Sequence, residues 1–163
     1  MNHFYLSTFQ PSDIGSVPIV LTKLIPDIKI DINSDNFIFY TTGFNNIKVL
    51  ENDILRNTFV VIKKFDKLTG NYFKPIFQWS GRHNFEDILL AIKSLGYKSF
   101  RLILNDDFRI VSGHRRAVKA LERQISSQTG LRIDRVNPST EIWILHTKDG
   151  YGFVMLKISN VKK

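Results

Sequence analysis

The sequence contains no cysteine, which excludes disulfides and thiolate metal sites. Its four histidines, His3, His83, His114 and His146, lack metal-ligand spacing and thiol partners, so no metal site is expected. No window of about 18 apolar residues occurs, so no membrane-spanning helix is expected. Residues 1–13 have neither a basic n-region nor a long apolar run and are not read as a signal peptide. A soluble cytoplasmic protein is the expectation. There is no repeat of fixed short period and no low-complexity segment.

The common signatures of chemistry are also missing. No Gly-rich dinucleotide fingerprint and no P-loop is present. Asn137-Pro138-Ser139-Thr140 lacks the second proline and the aromatic of an Asn-Pro-Pro-aromatic motif. Asp106-Asp107 reads as a solvated turn. His114 reads as a helix-start residue, and His146, in an alternating strand, is expected to face solvent or a ligand. No base and orienting partner are legible together. The chain is therefore expected to carry no catalytic residue and no cofactor of its own.

What is present is apolar mass and positive charge. Apolar residues make up 43% of the chain, and 13 of them are Phe, enough for a packed core. The net charge is +8, unevenly spread. Residues 1–81 hold 8 Lys/Arg against 7 Asp/Glu, whereas residues 82–163 hold 15 against 8. An electrostatic surface thus belongs to the second half.

The order of elements suggests two units. Phe4–Phe9 reads as a strand and Ser12–Ile25 as a helix, with Pro18 forcing a late start or a kink. Ile28–Ile32 and Phe37–Thr42 form a hairpin across Asn33–Asn36. Residues 45–50 can make a short helix or turn, and Thr58–Phe65 a fourth strand. This β-α-β-β-α-β order is the split βαβ pattern. Residues 66–84 show no clear period and read as a connector. Phe73, Phe77 and Trp79 in it are expected to pack between the two units, with base stacking as the alternative. Asn84 caps a helix through Leu95, closed by Gly96. Lys98–Leu104 is a strand, Ser112 can cap a helix over 114–128, and Gly130 ends it. Leu131–Val136 reads as a short strand. Glu141–Thr147 and Tyr151–Ile158 form a hairpin across Lys148-Asp149-Gly150, with Trp143 expected in the core.

Charge concentrates on the helix from residue 114. Residues 109–135 carry seven basic side chains against Glu122 and Asp134. At about 100° per residue, Val118, Leu121 and Ile125 share one arc. Arg116, Lys119 and Arg123 lie opposite, and Arg115 extends that arc. Arg132 and Arg135 follow the helix and can enlarge the patch. A basic stripe over an apolar one is the footprint of a phosphate-backbone binder.

Residues 85–158 resemble the THUMP domain. The matching residues are Ser112, the helix from His114, Gly130-Leu131-Arg132-Ile133-Asp134, Asn137-Pro138, Glu141-Ile142 and the strand after Gly150. THUMP domains usually follow a ferredoxin-like domain, which residues 4–65 would supply. The resemblance implies an α+β protein: a ferredoxin-like domain over 1–65, a connector over 66–84, and an α/β THUMP domain over 85–163. It departs from the family at Ser139, where an acid is frequent, and at the entry to the basic helix.

The function implied is RNA binding, with the tRNA acceptor end as target, in an RNA-modifying enzyme. A methyltransferase using S-adenosylmethionine is the expected enzyme, its catalytic domain absent from this chain. Arg115, Arg116, Lys119, Arg123, Arg132 and Arg135 would contact phosphates. Three alternatives are a stand-alone RNA-binding adaptor, a protein-interaction module with a basic face, and a small nuclease built on scattered His and Asp.

Overall fold

The computed structural model describes residues 3–43 and 52–158. The chain divides into two compact units, one of residues 1–61 with 157–163, the other of residues 62–156. Residues 45–50, expected as a short helix or turn, lie outside the described residues.

The first unit is built on strands β1 (His3–Phe9), β2 (Lys29–Asn33), β3 (Phe37–Thr42) and β4 (Leu55–Phe65, through Val61 in this unit), with helix α1 (Val17–Leu24) between β1 and β2. The strand order is β2-β3-β1-β4. Every neighbouring pair is antiparallel, with Tyr5 opposite both Tyr40 and Val60. A 3-10 turn at Pro11–Asp13 precedes α1, which starts at Val17 so that Pro18 occupies its first turn. There the missing N–H of proline costs nothing. Val17 and Leu21 of α1 bury against Tyr5, Phe9, Ile38, Tyr40 and Leu55. On the sheet, Ser7 Oγ lies 2.9 Å from both Tyr40 Oη and Thr58 Oγ1, which satisfies three buried hydroxyls together.

The second unit holds α2 (Phe73–Arg82), α3 (Leu89–Leu95), β5 (Ser99–Asp106), β6 (Arg109–Ile110), α4 (Arg115–Thr129), β7 (Arg132–Ile133), β8 (Thr140–His146) and β9 (Gly152–Lys157, whose last residue belongs to the first unit). Its strand order is β9-β8-β5-β6, with β7 also paired to β5. β5 and β8 run parallel over seven residue pairs, from Phe100↔Thr140 to Asp106↔His146. β8 and β9 form the expected hairpin.

Helix α2 corrects the reading of residues 66–84 as aperiodic. Pro75 and Gly81 mimic breakers, but Pro75 sits in the first turn, where proline is tolerated, and Gly81 one residue from the end. Phe73, Ile76 and Ser80 are the buried face. Trp79 stacks on His83 at 4.3 Å between centroids and meets Phe65 edge-on. The helix expected from Asn84 is a 3-10 turn (Phe85–Ile88) that leads into α3. Asn84 Oδ1 accepts from the Glu86 amide at 3.1 Å, and Gly96 closes α3 at a φ of 71°. Leu131–Val136 shrinks to the two-residue β7. Trp143 is half-buried rather than a core residue, with Nε1 donating to Glu141 at 3.0 Å.

His146 and Asp106 also differ from expectation. His146 stacks on Tyr72 with centroids 3.6 Å apart, and its Nδ1 lies 2.9 Å from Asp106 Oδ1. The Tyr72 hydroxyl donates to the other Asp106 oxygen. β5 runs on through Asp106, so this acid closes a cluster instead of forming a solvated turn. Burial pushes the Asp106 carboxyl up, but the hydrogen bonds from His146 and Tyr72 outweigh it and hold the group below its usual range. A carboxylate whose folded pKa is depressed contributes stability above its unfolded value, near 4, and loses it as pH falls through the folded value. Wild-type protein is therefore expected to lose more stability than Asp106→Asn between about pH 6 and about pH 3. Urea unfolding of both proteins at each pH checks this; equal losses would contradict it.

Candidate nucleic-acid interface

Helix α4 is the element that carries the charge. It starts at Arg115, with His114 at the cap position in the left-handed conformation (φ 54°) and Gly113 before it at φ 112°. Ser112 does not cap the helix, contrary to the sequence reading: the cap position is His114, whose side chain makes no capping bond. The first amides of α4 are thus left without an intrahelical acceptor. Gly130, at φ 78°, ends the helix as expected.

Leu121 and Ile125 are buried, each worth about 1.5–3 kcal/mol of transfer free energy. Two glutamines on the neighbouring arc fix the helix laterally. Gln124 Nε2 donates to the carbonyls of Ser80 and His83 at 2.9 Å, capping the end of α2. Gln128 Oε1 accepts from the Phe85 amide at 2.9 Å. With these two arcs occupied, the basic arc turns to solvent: Arg115, Arg116, Lys119 and Arg123 are all exposed.

A cleft of about 500 Å³ runs beside the first half of α4. Taking Val118 as zero, Glu122 lies near 40°, Arg115 near 60° and Lys119 near 100° around the helix. All four line the cleft. Arg123 and Arg116 lie near 140° and 160° and are not among its lining residues. The facing wall comes from β5, Ile110, Val111 and the Ser112-Gly113 turn, with Arg101 and Arg135 completing it.

The six expected contact residues therefore fall into groups. Arg115, Lys119 and Arg135 share the cleft. Arg116 and Arg123 stand on the outer edge of α4. Arg132, exposed on β7, lies 3.6 Å from Asp134. Arg135 is not a free cation: its Nη2 is 2.5 Å from Oε1 of Glu122, whose side chain is only 2% exposed. Arg101 was missed by the sequence reading. A lone cation within the apolar run of β5 was the available signal; its guanidinium pairs with Glu141.

Two loop residues serve the backbone. The Asp134 carboxylate accepts the amides of Asn137 at 2.9 Å and Val136 at 3.1 Å, and these bonds hold it below the usual carboxylate range. Ser139 Oγ accepts the amides of Lys98 and Ser99, both at 2.9 Å. This bonding ties the loop after β7 to the start of β5. His114 packs edge-on against Phe73, with centroids 5.4 Å apart, and lies 5.8 Å from Phe77. Among the described residues, no helix is long and apolar enough to cross a membrane.

No family model matches the sequence, and no curated protein is similar to it. Solved structures do share the fold. Against TrmN from Thermus thermophilus the TM-score is 0.67 at 12% identity, over 98% of this chain and 46% of that one. Against a 4-thiouridine synthetase in complex with RNA and bound ATP it is 0.56 at 13% identity, over 98% and 42%. Against SMU.472 in complex with SAH it is 0.59 at 14% identity, over 96% and 41%. These matches show a shared fold. The chain spans less than half the length of these three proteins.

Arg135→Ala is expected to cost about 1–3 kcal/mol, because it leaves the buried Glu122 carboxylate without its guanidinium partner. Arg116→Ala, which breaks no such pairing, is expected within about 0.5 kcal/mol of wild type. Urea midpoints of the two variants check the contrast; equal midpoints would contradict it.

Proposed function

We propose that this chain is the RNA-binding part of an RNA-modifying enzyme, with tRNA as the RNA and its acceptor end as the element gripped. The first unit is read as a ferredoxin-like domain, because an antiparallel β2-β3-β1-β4 sheet is the arrangement a split βαβ order produces. The region from residue 85 is read as the THUMP domain. The enzyme is read as an S-adenosylmethionine-dependent RNA methyltransferase whose cofactor and catalytic groups lie in a domain outside this chain. No residue of this chain is assigned to that cofactor.

The observation that carries the reading is the exposed basic edge of α4 set over a buried apolar edge. It is supported by a shared fold with a 4-thiouridine synthetase solved with RNA and with a protein solved with SAH. Arg115, Arg116, Lys119 and Arg123 provide phosphate contacts, with Arg132 extending the surface and Arg135 braced by Glu122. Contacts of this kind position the strand and carry no sequence information by themselves.

Fluorescence anisotropy with tRNA across a salt series tests the proposal. Affinity is expected to fall steeply with salt and to weaken when the single-stranded 3′ end is removed. The Arg115→Ala/Arg116→Ala/Lys119→Ala variant is expected to bind more weakly, its log–log salt slope reduced by about 2–3. Unchanged binding by that variant would remove α4 from the interface. Equal affinity for intact and trimmed tRNA would remove the acceptor end.

A further inference from the structure

Three side chains outside the basic arc join the sheet of the second unit to the start of α2. Asp106 and His146 are the last residues of β5 and β8, and the parallel register sets them side by side. His146 Nδ1 lies 2.9 Å from one Asp106 oxygen, and the Tyr72 hydroxyl donates to the other. An ionised carboxylate only accepts, so it takes one bond on each oxygen. The Tyr72 and His146 rings also stack within 5° of parallel. One carboxylate and one stack thus fix both rings together. Tyr72 is the residue from which α2 begins, so its position sets where that helix starts.

Helix α2 in turn meets the start of α4. The Tyr72 ring lies edge-on to buried Phe73, with centroids 4.9 Å apart. Phe73 and Phe77 are the α2 rings that meet His114, at 5.4 and 5.8 Å. The left-handed backbone of His114, φ 54°, is one that a residue with a Cβ rarely adopts. It persists only where the surroundings hold it. The start of α2 and the turn into α4 also border a common cleft of about 340 Å³, so the two segments are not packed along their whole length. The rings of α2 thus brace the cap residue, and Arg115 follows it directly. Farther along, α4 has its own anchors: Leu121 and Ile125 are buried, and Gln124 bonds to the carbonyls of Ser80 and His83.

We infer that Tyr72, Asp106 and His146 are positioning residues for RNA binding: acting through Phe73 and His114, they set the first turn of α4 and with it Arg115. The inference rests on the RNA-binding reading above. The three residues themselves make no contact with RNA. Their loss misplaces a phosphate contact at the start of the helix and leaves Arg123, about 12 Å farther along, in place.

The test is tRNA binding by this chain across a salt series. Tyr72→Ala is expected to weaken binding about fivefold. Its log–log salt slope is expected to be reduced by about 1, the contribution of one phosphate contact. A protein that is merely destabilised would lose binding in proportion to its unfolded fraction and keep the slope. In double-variant cycles, Tyr72→Ala and Arg115→Ala are expected to combine to less than the product of their separate losses, because both remove the same contact. Tyr72→Ala and Arg123→Ala are expected to multiply. Tyr72→Phe keeps the ring, drops the bond to Asp106 and gives a readout that needs no RNA. Its amide NMR signals are expected to shift at His114, Arg115 and Arg116 and to stay in place at Ile125 and Gln128. An unchanged salt slope in folded Tyr72→Ala would overturn the inference and leave the RNA-binding reading standing. So would simple multiplication of the Tyr72→Ala and Arg115→Ala losses, or unmoved His114, Arg115 and Arg116 amides in Tyr72→Phe. Wild-type protein without salt-dependent tRNA binding would overturn the inference together with the reading beneath it.

Discussion

The parallel pairing of β5 with β8 is the constraint from which the rest of the second unit follows. Parallel neighbours cannot be joined by a tight turn; the chain must cross back over a dozen residues or more. Here the crossing contains β6, α4 and β7. The crossover helix has to cover the unit it returns over, so Leu121 and Ile125 are buried. A 15-residue helix whose apolar arc is committed in this way has no freedom over where its other arcs point. The exposure of Arg115, Arg116, Lys119 and Arg123 is therefore a consequence of sheet topology, expressed through the helical period.

The same constraint explains the polar chemistry next to that arc. Gln124 and Gln128 lie on one flank of the apolar stripe and answer backbone groups at the end of α2 and the start of the following turn. Glu122 lies on the other flank, buried, and is answered by Arg135 from beyond β7. A carboxylate left alone at that depth would be costly. The pair thus secures the chain after α4 and also gives the basic surface one acidic point.

Much of the fold was legible in the sequence because it rests on period and punctuation. The 3.6-residue spacing of α4, the hairpin at Asp149-Gly150 and the stops at Gly96 and Gly130 are local signals, and the structure realises each. Helix α2 was hidden because Pro75 and Gly81 look like breakers until their places in the first turn and at the penultimate residue are known. The partners of His146 and Asp106 were hidden for a different reason: residues 40 apart in sequence become opposite neighbours only through the β5–β8 register. The candidate interface divides along the same line. The basic arc is visible on a helical wheel. The pairing of Arg135 with Glu122, the recruitment of Arg101 and the exclusion of Arg116 and Arg123 from the cleft depend on where β5 and β6 lie. No one-dimensional pattern encodes that.

RNA is proposed to lie against the start and basic edge of α4. The amides of His114 to Ala117 have no intrahelical acceptor, so they exchange with solvent readily unless a ligand covers them. Hydrogen–deuterium exchange with and without tRNA reads them directly. Exchange from Val111 through Lys119 is expected to slow on binding. Bound tRNA that leaves those amides unchanged and protects other segments instead would contradict it.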